Sequence, residues 1–104
     1  MSTKRTIVRR GVRNVEEEAA KNQLADLVKQ AVAHRGISQY AAAKIIGVDQ
    51  PKISAVFMGR LVHFSSERLI RFLVRLGYDV DITIKPKPRN REQARLRVLP
   101  EIQG

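Results

Sequence analysis

The sequence contains no cysteine and no tryptophan, and only three phenylalanines and two tyrosines among 104 residues. Without cysteine there is no disulfide framework, no thiolate metal site and no cysteine nucleophile. No apolar run approaches the roughly 18 residues of a membrane span, and residues 1–13 lack the apolar segment of a signal peptide. A soluble, cytoplasmic chain with no membrane partner is expected. The two histidines, His34 and His63, show no metal-ligand spacing, and neither a Gly-rich phosphate loop nor a nucleophile elbow is present. No catalytic residue, metal or cofactor is therefore expected. A small basic ribonuclease would need several strands to build its sheet, and the pattern offers one. The chain does not read as an enzyme.

Acidic residues are also scarce. Ten Asp and Glu stand against twenty Lys and Arg, leaving a formal net charge of +10. Such a field attracts polyanions. The excess sits mainly at the ends: residues 1–14 carry five bases and no acid, and residues 86–104 carry five bases and two acids. At about 100–200 residues per domain, the length predicts one domain. Its core is small, and burial against a second copy would support it.

Residues 1–13 have no clear apolar period and read as a flexible basic arm. Asn14 is a candidate helix N-cap, with Glu17 three positions on and Glu16–Glu18 in the first turn, where the helix dipole favours acids. Ala20, Leu24, Leu27, Val28, Ala31 and Val32 then follow the i, i+3, i+4, i+7 spacing of one buried helix face. Gly36 ends that helix, with His34 and Arg35 in its last turn.

Ser38 caps a second helix, rich in alanine, which Gly47 stops after about two turns. Asp49 caps a third, where Pro51 is tolerated because the first helical N–H groups have no acceptor within the helix. Two short helices joined by a tight glycine turn form a helix–turn–helix candidate. Ala43 is small enough for the two helices to approach closely. Ile37, Ile46, Val48, Ile53 and Val56 can join the unit to the core. Gln50, Pro51, Lys52, Ser54 and Ala55 remain for the exposed start of the second helix, which in such a motif meets base edges in the major groove. Gln can pair with adenine and Lys with guanine acceptors. Gln39, at the start of the first helix, is placed for a phosphate. Lys44 and Arg60 are further phosphate candidates. Asp49 would be repelled by phosphates and reads as a structural cap.

Ser65 caps a fourth helix with a core stripe of Leu69, Phe72, Leu73 and Leu76, and a second stripe of Ile70 and Val74 that reads as a dimer surface, with a wide core face as the alternative. Val80, Ile82 and Ile84 then alternate with polar residues, the period of a half-buried strand. No other segment matches it, and an unpaired strand edge needs a partner. The expected partner is the same strand of a second chain, with Ile70, Val74, Val80, Ile82 and Ile84 at the homodimer contact. Pro86 and Pro88 stop the ladder. Residues 86–104 read as a basic tail expected to be disordered, with a short helix around 91–98 as the alternative.

The stretch Gly36-Ile37-Ser38-Gln39, Ala42-Ala43 and Gly47-Val48-Asp49-Gln50-Pro51-Lys52-Ile53-Ser54 resembles the Xre/Cro helix–turn–helix regulators. The continuation through Gly59-Arg60-Leu61, Phe64-Ser65, Glu67-Arg68-Leu69, Phe72-Leu73, Leu76-Gly77 and Asp79-Val80-Asp81-Ile82 is similar to the HigA-type antitoxins. The resemblance covers about residues 21–85. It implies a DNA-binding dimer that represses its own operon, often encoded beside a RelE/HigB-like ribonuclease toxin that it binds.

The expected molecule is therefore mainly α: a lambda-repressor-like bundle of four helices over residues 14–85, plus one C-terminal β-strand pairing across a dimer. Its expected partner is double-stranded DNA carrying an inverted-repeat operator. The open alternative is an interaction module of the same fold that does not read DNA.

Overall fold

The computed structural model describes residues 3–101, with side chains from Val15 onward. Four helices follow one another: α1 (Thr3–Arg35), α2 (Gln39–Ile46), α3 (Gln50–Phe57) and α4 (Ser66–Arg75). The main contacts pack α1 against α4 and α2 against α3. Among the described residues no helix is long and apolar enough to cross a membrane.

The apolar spacing of α1 does what its period implies. Ala20, Leu24, Leu27, Val28, Ala31 and Val32 are all buried, and Ala25 joins them. Ile53 and Val56 from α3, Leu69 from α4 and Leu76 just beyond it meet Val28 as the largest fully buried side chains. Phe64 and Phe72 close one end of this core edge to face, with ring centres 6.1 Å apart. Ala42 and Ala43 are both buried on α2, and such small side chains let a packed helix come close to its neighbours.

The caps tie sequence to element ends. The Ser38 and Ser65 hydroxyls accept the Ala41 and Arg68 amides, each at 3.1 Å. Gly47 ends α2 at φ 89°, a left-handed conformation that is costly for any residue with a Cβ. The Arg35 guanidinium, in the last turn of α1, donates to the Leu76 carbonyl at 2.8 Å. That bond satisfies one free carbonyl past α4 and locks the ends of α1 and α4 together.

Three expectations change. First, Asn14 does not start a helix. The residues read as an arm are helical from Thr3, and α1 runs unbroken for 33 residues. No proline interrupts this run, and one glycine, Gly11, costs only about 1 kcal/mol relative to alanine. The arm's side chains lie outside the described residues.

Second, no β-strand forms among the described residues. Residues 78–85 belong to no helix or ladder, and a single copy of the chain offers no second edge. Val80 packs partly against the core, while Ile82 and Ile84 are 73% and 91% exposed. Of the second α4 stripe, Ile70 also packs partly against the core, and Val74 is exposed.

Third, the C-terminal tail folds back. It forms no helix at 91–98, yet it lies along α1. The Leu96 amide donates to Glu16 Oε1 at 3.2 Å, Gln23 Nε2 donates to the Val98 carbonyl at 2.9 Å, and Val98 packs against the core.

Removing a fully buried side chain should cost far more than removing an exposed one. Ile53→Ala is expected to lose about 2–5 kcal/mol. Val62→Ala, at a position 82% exposed, is expected to stay within about 0.5 kcal/mol of wild type. Urea denaturation of both variants measures the contrast.

Candidate nucleic-acid interface

The start of α2 and the start of α3 lie side by side, as α2 packs on α3. This places Gln39 beside Gln50, eleven positions later, and Gln50 Nε2 donates to Gln39 Oε1 at 3.1 Å. The bond has a chemical consequence. It uses one N–H of the Gln50 amide and holds the plane of the group. A second N–H and the carbonyl remain, one donor beside one acceptor. That pair is complementary to the N7 acceptor and N6 donor of adenine.

Pro51 is exposed beside Gln50, and Lys52 follows, half-buried. Lys52 Nζ lies 3.6 Å from Asp49 Oδ2, with the two side chains 43% and 79% exposed. An ion pair this open is worth little, so Lys52 can exchange its carboxylate for another acceptor. Asp49 holds the extended backbone of an N-cap at φ −71° and ψ 146°, but its side chain makes no cap hydrogen bond. Asp49 therefore stands at the expected N-cap position of α3, without a side-chain cap bond. The carboxylate is drawn toward Lys52, and Pro51 within the first turn leaves one fewer amide to cap.

The remaining expected contacts spread out. Lys44 is exposed and its ammonium lies 4.9 Å from the centre of the Tyr40 ring, a cation–π pair on the surface of α2. Tyr40, Lys44, Gln50 and Pro51 line one shallow groove between the two helix starts. Ser54 and Ala55 are half-buried one turn further along α3. Ala55 also packs against the core, and its carbonyl accepts the Arg60 amide at 2.9 Å. Arg60 lies beyond the far end of α3, exposed. Thus Gln39, Lys44, Gln50 and Pro51 gather at one place, with Lys52 adjoining, while Arg60 stands apart.

Tyr40 is a member of this surface that the sequence reading missed. It is 61% exposed next to Gln39. Its signal was its position on α2, off the face of Ala42, Ala43 and Ile46 and one turn before Lys44. His34 and His63 are both exposed, and among the described residues no three potential metal ligands gather.

Residues 7–85 match a family described as a helix–turn–helix domain. A solved structure named for the XRE family of transcriptional regulators is similar to this fold with a TM-score of 0.81. Its sequence is 40% identical, and the match covers 84% of this chain and 98% of that one. No protein of curated function matches the sequence.

The two caps of the helix pair should respond differently to truncation. Ser38→Ala removes a formed cap bond and is expected to cost about 0.5–2 kcal/mol. Asp49→Ala removes none, and its cost is expected to stay below about 0.5 kcal/mol. Thermal melts of the two variants separate these outcomes.

Proposed function

The chain belongs to the Xre-type helix–turn–helix family, and from that premise we propose that it is a sequence-specific DNA-binding regulator of transcription. The observation that carries the reading is the Gln50–Gln39 hydrogen bond at the exposed start of α3. A major groove about 12 Å wide admits a helix, and in this motif the first residues of the second helix reach the base edges. Gln50 then offers its remaining donor and acceptor to adenine. Lys52 leaves Asp49 for a guanine acceptor. Gln39 keeps its own amide N–H groups for a phosphate, with Lys44 and Tyr40 on the same backbone and Arg60 on the other side of the groove. The +10 charge steers the approach and adds affinity that reads no sequence.

We further propose that the regulator is a homodimer. Ile82 and Ile84 alternate with Asp81 and Thr83 in a segment outside any helix, and both isoleucines are open to solvent. The same segment of a second copy, running antiparallel, would supply the missing ladder and cover them. Val74 is exposed too and would extend the contact. Two recognition helices related by a two-fold axis read an inverted repeat, with half-site centres about 10 bp apart. The finer reading is a repressor of its own operon, and the antitoxin of a RelE/HigB-like toxin. Its support is the HigA-type pattern of Asp49–Ser54 and of the residues from Gly59 to Ile82. No catalytic step is assigned.

Selection from a randomised duplex pool is expected to recover an inverted repeat. Ile82→Asp is expected to sediment as a monomer and to lose that repeat. Enrichment of single half-sites by wild type would refute the dimer, and no enrichment at all would favour an interaction module.

Gln50→Ala is expected to cost about 1–3 kcal/mol of binding and to relax the preference at one base step. Because Gln39 holds Gln50, the double variant is expected to cost less than the sum of the two single losses, by about 0.5–3 kcal/mol. Anisotropy titrations of all four proteins complete the cycle, and strict additivity would mean that the bridge has no part in reading DNA.

A further inference from the structure

A second surface carries charge that the recognition helix does not use. Arg68, Arg71 and Arg75 recur at i, i+3 and i+7, so they share one face of α4. Together with the turn at Gly47 and Val48 they line a groove between that turn and α4. Three guanidinium groups in one groove repel one another, and the single carboxylate beside them is Glu67.

Each arginine is set up differently. The half-buried Arg68 lies over aromatic rings, its guanidinium carbon 5.1 Å from the Phe64 centre and 6.0 Å from the Phe72 centre. Stacking of this kind orders the side chain before any ligand arrives. Arg71 Nη2 lies 3.3 Å from Glu67 Oε2, but both side chains are more than 70% exposed. That pair contributes little and is readily exchanged for a stronger acceptor. Arg75 reaches across the turn, where a Cβ on Gly47 would stand 3.6 Å from its Nη1. The guanidinium thus lies at van der Waals distance from the turn.

Planar guanidinium forks converging from one wall of a groove match the tetrahedral oxygens of a phosphate, to which they bind in pairs of parallel hydrogen bonds. Val48 lines this groove and also the groove that holds Gln50. The two surfaces are therefore neighbours, divided by the turn between α2 and α3. We infer that the Arg68–Arg71–Arg75 groove is a phosphate site, and that in the DNA complex it takes a backbone phosphate outside the bases facing α3. The DNA part of this inference rests on the regulator reading above, whereas the phosphate chemistry does not. A small phosphorylated ligand would use the same forks.

The test uses the full chain with Arg71→Gln and Arg75→Gln combined, beside a matching Arg→Lys pair. Both positions are exposed, so both proteins should fold, as helical circular dichroism will report. Affinity for the selected duplex is measured across salt, from roughly 50 to 200 mM. The Gln pair is expected to flatten the slope of log affinity against log salt by about 0.9, the release expected for one phosphate contact. The Lys pair is expected to keep the wild-type slope, and base preference is expected to be unchanged in both.

Inorganic pyrophosphate is titrated separately, with the Gly47 amide followed by NMR. A shift in wild type that is absent from the Gln pair, together with an unchanged salt slope, would keep the phosphate site and assign it to a small ligand, overturning its DNA part. An unchanged slope and no shift would overturn the inference entirely. If wild type binds no duplex, the regulator reading fails by itself, and the pyrophosphate titration still decides the groove.

Discussion

α3 is eight residues long, and a helix that short does not persist in water unaided. Burial holds it in place. Ile53 and Val56 are almost wholly excluded from solvent, in the same buried core as Val28 of α1 and Leu69 of α4. Those contacts decide which face of α3 turns outward and keep its first turn clear of the core. α2 is equally short, and it is held by Ala42, Ala43 and Ile46. The Gln39–Gln50 bridge exists because these two buried faces fix how α2 crosses α3. The polar surface is thus a product of the apolar one. The same holds for the arginine groove, whose far wall is the turn that joins the pair.

The electrostatics divide in a similar way. Much of the charge lies near the chain ends and contributes attraction without discrimination. The charges near the helix pair are fewer, and three of them are individually engaged: Lys52 with Asp49, Lys44 with Tyr40, Arg71 with Glu67. Each of these contacts is exposed and weak, so the groups are ordered yet exchangeable. Surface charges held in this way can meet phosphates or base edges with little reorganisation, which favours affinity without demanding a buried ion pair.

What could be read from residue patterns follows the range of the forces involved. The Ser38 and Ser65 caps depend on hydrogen bonds across three positions and were legible directly. The buried stripes of α1 and α4 follow from helical period. Gln39 and Gln50 were each recognisable, but their mutual bond depends on the crossing of two helices, which no local pattern encodes. The start of α1 was misplaced because Asn14 and Glu17 resemble a cap, while nothing before them forbids a helix. The return of the tail rests on a few contacts, with Val98 as its apolar anchor and Gln23 and Glu16 beside it. A tail rich in bases and prolines conceals one apolar anchor. The alternation of Val80, Ile82 and Ile84 was visible, but a ladder requires two edges, and one chain supplies one.

The most direct measurement is an anisotropy titration against the DNA upstream of the protein's own gene, beside a scrambled duplex, at two salt concentrations. A self-regulating reader of DNA should bind its own upstream DNA at least ~10³-fold more tightly than the scrambled duplex, with both affinities falling as salt rises. Equal binding to the two duplexes would mean that the positive charge holds DNA without α3 reading it, and would contradict the central claim.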